Sequence, residues 1–171
     1  EVYDTSEAKE VTELFFWRDF CDNYLEIVKD RLYNPEKRGK KARLSAQYTL
    51  YNALLTILKL MAPIVPHITE EIYQSYFRRY EKAKSIHISK WPEYREEWVD
   101  EEAEKAGELM VKILTDVRRF KTENKMSLKA PVKISLPKEE LEVLKPVMED
   151  FKAVTKAVEV SEGEFRITAA T

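Results

Sequence analysis

Apolar positions along this chain recur first at helical steps and, near its end, at alternating ones. Over residues 7–32, Trp17, Cys21, Tyr24, Val28 and Leu32 fall three or four apart and share one face, which predicts an amphipathic helix. Asn34-Pro35 ends it, because the residue before a proline is pushed out of the helical region. PEKRGKKAR, 35–43, reads as a loop punctuated by Gly39. The stripe Leu44, Tyr48, Tyr51, Leu55, Leu58 and Ala62 predicts a second helix over about 41–62. In LMAPIVPHITEEIY, 60–73, Pro63 closes that helix and Pro66 holds an extended path. Ile64, Val65 and Ile68 are expected to stay buried through this corner. Thr69 is the expected N-cap of a third helix reaching Tyr80, with Glu70 and Glu71 where the helix dipole favours acids. A looser connector, 84–99, carries Ile86, Ile88, Trp91, Pro92 and Trp98. Ala103, Ala106, Met110, Ile113, Val117 and Phe120 then predict a fourth helix from near Asp100.

Each stripe needs a partner, so a bundle is the economical arrangement. The period changes after Lys129. VKISL, 132–136, alternates like a half-buried strand. Pro137 can open a short helix with Leu141, Leu144 and Met148 on one face, which Pro146 ends or kinks. AVEV, 157–160, and EFRIT, 164–168, flank Ser-Glu-Gly and read as a hairpin. The expected fold is therefore mainly α: a helical bundle over 1–125, then a small α/β (βαββ) unit over 130–171.

Composition fits this picture. The 171 residues include only three glycines, with 44% apolar and 35% charged residues, which favours a compact helix-rich chain over disorder. A single cysteine excludes an internal disulfide and fits a reducing compartment. No apolar run is long enough to span a membrane. The first residue is Glu, so the chain is expected to be part of something longer. The net charge of -2 conceals blocks of opposite sign. Residues 29–43 hold seven bases against two acids, and 112–129 six against two, whereas 93–108 hold eight acids against two bases. This predicts a surface with a basic face.

Candidate catalytic chemistry is sparse. Two histidines and one cysteine, far apart, give no metal-ligand spacing, and Gly39, Gly107 and Gly163 are too dispersed for a phosphate-cradling loop. His67 reads as structural and Cys21 as a buried, inert thiol. The acids of EEWVDEEAE suit a helix start. What remains is polyanion binding. Lys37, Arg38, Lys40, Lys41 and Arg43 form one basic stretch; Arg118, Arg119, Lys121, Lys125 and Lys129 form another. Between them, YFRRYEKAK interleaves Arg78 and Arg79 with Tyr76, Phe77 and Tyr80, whose rings are candidates for stacking on unpaired bases while the cations hold phosphates.

Three segments carry a family resemblance. FFWRDFCDNYLEIVKDRLYN, 15–34, resembles the aromatic-Trp-x-x-Phe-Cys-Asp-x-Tyr-Leu-Glu-x-x-Lys helix of valyl-tRNA synthetases. LLTILKLMAPIVPHITEEIYQ, 54–74, is similar to their leucine-rich helix and Pro-x-x-Pro-x-Ile-Thr-Glu-Glu block, and ISKWPE, 88–93, to the Ser-x-Trp-Pro that follows. The likeness covers about residues 3–136. The middle block is shared with the isoleucine, leucine and methionine enzymes; Phe20-Cys21-Asp22 points to valine.

The resemblance implies the C-terminal anticodon-binding part of a cytoplasmic, monomeric class I synthetase. The parent would join valine to its tRNA using ATP and Mg²⁺. Its partners would be valine tRNAs and the catalytic and editing domains of its own chain, with no membrane. This part would supply tRNA binding, with no catalytic residue, metal or cofactor of its own. Lys125-Met126-Ser127-Leu128-Lys129 resembles the family's ATP-contacting Lys-Met-Ser-Lys-Ser loop, but differs at its last two positions and follows the bundle instead of preceding it. It reads as a basic connector toward tRNA. The family's opening helices would lie before Glu1, which predicts an exposed face on helix 1 or 2. Two alternatives stay open: the same module from an isoleucyl or leucyl enzyme, and a protein-interaction bundle whose acidic 93–108 segment meets a basic partner.

Overall fold

The computed structural model describes residues 5–170. The elements are α1 (Thr5–Leu14), a π-helical segment (Phe15–Tyr24), α2 (Leu25–Tyr33), α3 (Pro35–Arg38), α4 (Lys40–Met61), α5 (Pro66–Ile72) and α6 (Glu101–Glu123), then β1 (Val132–Leu136), α7 (Lys138–Leu144), α8 (Met148–Thr155), β2 (Ala157–Glu162) and β3 (Arg166–Ala169). They form two compact units. One holds the described residues through Leu25 with Pro35–Glu96; the other holds Glu26–Asn34 with the chain from Glu97 onward. This grouping differs from the expected division near residue 125, because α6 shares its core with the strands.

In the first unit, the π-helical segment changes which residues face inward. Leu25 N–H bonds to Phe20 O, five residues back, and the wider turn brings rings four apart into register. Phe16 stacks on Phe20, and Phe20 on Tyr24, each with centroids 6.4 Å apart. Trp17, expected on the inner face at ordinary helical spacing, is exposed instead. The core beyond it comes from the second half of α4: Leu55, Leu58 and Ala62 pack with Tyr73, Phe77 and Ile86. Leu44 and Tyr48, at the start of the α4 stripe, are exposed, as are Val11, Leu14 and Phe15.

The proline corner is tighter than its sequence suggests. Ile64 and Val65 N–H both bond to Met61 O at 2.9 Å. α5 then begins at Pro66, since the first helical position needs no N–H. Thr69 is therefore inside the helix and is not its cap. Its hydroxyl donates back to Val65 O (3.0 Å) and Pro66 O (3.1 Å). The earlier start also turns Val65 and Ile68 outward, against expectation. Tyr73–Phe77 is a second π-helical turn, with Arg78 N–H on Tyr73 O at 2.8 Å.

In the second unit, Asp100 caps α6 by accepting from Glu102 and Ala103 N–H at 3.1 and 3.0 Å. Met110, Ile113 and Val117 of α6 pack with Val132, Ile134 and Leu136 of β1 and with Leu144 and Phe151. Ile27 of α2 packs against the same core. Arg31 Nε donates to both oxygens of buried Asp150, at 2.9 and 3.0 Å.

The sheet corrects the hairpin reading. Its order is β2-β1-β3, with β1 parallel to β2 and antiparallel to β3, so β2 and β3 never pair. VKISL buries alternate residues and fills both edges of its ladder. Ser161 and Glu162 instead continue β2, paired with Ser135 and Leu136 of β1, and the chain passes the end of β1 at Gly163. There Gly163 N–H bonds to Leu136 O (2.9 Å) and Ser135 Oγ donates to Glu164 O (2.7 Å).

Candidate nucleic-acid interface

Within the first unit, basic residues collect where α3 meets α4. The chain reverses at Gly39, whose φ of 84° lies in the left-handed region open to glycine. Lys37, Lys40, Lys41 and Arg43 are exposed and Arg38 is half-buried. The first turn of α4 carries two lysines and no acid, so side-chain charge adds to the positive end of the helix dipole. This end of a 22-residue helix is electropositive twice over.

The second cluster is an aromatic platform. Tyr76 and Tyr80 are exposed, with centroids 5.9 Å apart, and the Arg79 guanidinium lies over both, 5.2 and 4.8 Å from their centroids. Tyr51 of α4 packs under them, 6.4 Å from Tyr76 and 6.1 Å from Tyr80. Its hydroxyl donates to Glu81 at 2.7 Å. Burial, then this bond to a carboxylate, pushes the Tyr51 phenol well above its ordinary range. Phe77 is corrected as a stacking candidate: it is fully buried against Tyr51, 4.9 Å between centroids. Tyr51 is the residue that sequence reasoning missed as part of the platform. Its place in the α4 stripe marked it as core, and it serves both. Arg78 is half-buried and points its guanidinium toward Glu81 O at 3.4 Å, which leaves Arg79 as the platform's cation.

The segment after the platform is held by a clasp. Tyr73 OH donates to Ala83 O (2.7 Å) and Gln74 Nε2 to Lys84 O (2.6 Å). Glu70 Oε2 accepts from Ser85 Oγ and Ile86 N–H, both at 2.9 Å. Burial pushes the Glu70 carboxyl up, but the hydrogen bonds from Gln74, Ile86 and Ser85 outweigh it and hold it below its usual range.

In the second unit, Arg119, Lys125 and Lys129 are exposed and Arg118 is half-buried. Arg119 lies 3.8 Å from Asp116. Lys121 is corrected as a phosphate contact. It is 1% exposed, and its ammonium donates to Leu128 O and Thr155 O, each at 2.9 Å. Burial, then the charge of Lys156, lowers its pKa. Lys121 thus pins the 124–130 turn that carries Lys125 and Lys129. The basic count of the segment could not reveal this, because the partners are backbone carbonyls, and Thr155 is distant in sequence.

Cys21 is half-buried, and burial followed by Asp22 raises its thiol pKa, the opposite of an activated nucleophile. His67 is exposed at the start of α5. Among the described residues, no three of His, Cys, Asp and Glu are grouped to hold a metal ion, and no helix is long and apolar enough to cross a membrane.

Residues 1–136 match the anticodon-binding domain of tRNA ligases. The chain belongs to that family. It is similar to the valine–tRNA ligase of Methanothermobacter thermautotrophicus, with 40% identity over 93% of this chain and 18% of that protein. The valine–tRNA ligase of Rickettsia felis is 41% identical over 92% of this chain and 18% of its own length. That of Pyrococcus horikoshii is 44% identical over 70% of this chain and 13% of its own. The chain thus spans less than a fifth of the length of these relatives.

Proposed function

We propose that this chain is the tRNA-binding part of a valine–tRNA ligase and grips the anticodon stem-loop of valine tRNAs. The observation that carries this reading is the exposed Tyr76–Arg79–Tyr80 platform within a chain of the anticodon-binding family. Unpaired loop bases stack on the two rings. Lys37, Lys40, Lys41, Arg43, Lys125 and Lys129 contact phosphates, which position the RNA without reading its sequence. Relatives from archaea and bacteria that are all valine–tRNA ligases support valine over isoleucine or leucine.

The whole enzyme would attach valine to tRNA in the cytoplasm, as a monomer, with ATP and Mg²⁺ bound by catalytic regions of the parent chain and misacylated tRNA cleared by its editing domain. Lys125–Lys129 lies in a turn fixed from beneath by Lys121, and no step of the ligase chemistry is assigned to it.

Titration of valine tRNA at several salt concentrations tests the reading. A log-log slope that falls by about 0.7–0.9 for each lysine of the set changed to alanine is expected. Affinity independent of salt would refute the electrostatic grip.

A further inference from the structure

The two motifs that identified the family, the proline corner and ISKWPE, meet at a cleft of about 250 Å³ in the first unit. Lys59 and Pro63 line it from the end of α4 and the corner; His87, Lys90 and Trp91 line it from the segment beyond the clasp. We infer that this cleft is a subsite for one unpaired RNA base, stacked on Trp91, with its flanking phosphates held by Lys59 and Lys90. The inference rests on the tRNA-binding reading and adds a second stacking position to the Tyr76–Tyr80 platform.

Three features support it. The cleft is smaller than the ~300–1,000 Å³ pockets that bury drug-sized ligands, which suits a planar ring better than an extended one. Trp91 stands 59% exposed at its edge, a large π-face available to a base. The lining carries two lysines and a histidine and no acid. Glu70 lies 4.0 Å from His87 Nε2, and its Oε2 already accepts from Ser85 and Ile86.

The wall is also built in advance. Ser85 Oγ accepts from His87 N–H at 3.2 Å, and Ser89 Oγ donates to Ile86 O at 2.6 Å. Ile86, buried, anchors the turn to the α4 core. The turn that leads into Lys90 and Trp91 therefore loses little freedom when a base arrives.

The chain has three tryptophans, so a Trp17→Phe, Trp98→Phe background leaves Trp91 as the sole reporter. The probes are a valine-tRNA anticodon stem-loop RNA and a blunt RNA duplex of equal length. The stem-loop is expected to quench Trp91 fluorescence with the midpoint seen by anisotropy, and the duplex to leave it unquenched. Trp91→Ala should weaken stem-loop binding about tenfold without changing the salt slope, while Trp91→Phe keeps most of the affinity. Lys59→Ala and Lys90→Ala should each lower the slope by about 0.7–0.9. Circular dichroism confirms that each variant is folded.

Salt-dependent RNA binding with Trp91 silent, and with Trp91→Ala and Trp91→Phe both at wild-type affinity, overturns the cleft and leaves the tRNA reading standing. Equal quenching by stem-loop and duplex overturns base stacking. No RNA binding by the wild-type chain overturns both.

Discussion

Changing Lys121 to methionine should destabilise the second unit by about 2–3 kcal/mol. The figure follows from the partners of the ammonium. A buried carbonyl left without its donor costs about 1–3 kcal/mol. Thr155 O is buried, so its loss counts nearly in full; Leu128 O, in a partly exposed turn, can turn to water and counts for less. Thr155 also ends α8, just before Lys156 in the left-handed conformation, where a cation stabilises the helix dipole. Against these losses, methionine fills the stem's volume and removes the desolvation burden of the ammonium. Urea unfolding followed through Trp98, in a Trp17→Phe, Trp91→Phe background, reads the second unit. The midpoint should fall with little change in slope.

The dependence on pH carries a definite sign. Burial, with Lys156 beside it, lowers the folded pKa of Lys121 below the ordinary 10.5. Between the folded and unfolded values the unfolded chain binds the extra proton, so stability rises with pH across that window. The wild type should therefore gain on the methionine variant as pH approaches 10.5 and hold a constant difference below the window. A midpoint equal to or above wild type at neutral pH would refute the reasoning, because it would mean that burying the ammonium costs more than its two bonds return.

Three further outcomes follow from single contacts. Glu70→Gln cannot accept from Ser85, Ile86 and Gln74 together and should cost about 1–3 kcal/mol at neutral pH. Since the folded Glu70 pKa lies below 4.5, the wild-type advantage is present above that value and disappears as pH falls through the folded one, which urea midpoints at stepped pH will show. Arg31→Leu takes the guanidinium from buried Asp150 and should cost about 3–5 kcal/mol, measured by thermal and urea unfolding. Tyr76→Ala with Tyr80→Ala should weaken stem-loop RNA binding at least tenfold while leaving duplex binding unchanged, as measured by anisotropy.

Sequence alone determined the elements whose signal is local. Stripes at helical spacing announced the long helices α4 and α6, the latter from near Asp100, and the alternation in VKISL announced β1. The three family motifs were equally legible, because they are strings of residue types. Tertiary structure decided everything that depends on who the partner is. The π-helical winding of Phe15–Tyr24 turned Trp17 outward, a rotation that ordinary helical spacing cannot encode. Lys121 and Phe77 looked like surface chemistry within basic and aromatic runs. Backbone carbonyls, that of Thr155 distant in sequence, and Tyr51 on another helix drew them inside. The β2-β1-β3 order arose because β1 has two open edges, and only the packed chain shows which strand fills each. The cleft at Trp91 belongs to the same class: its two walls lie apart in sequence and come together only when the Glu70 clasp draws the connector back toward the corner.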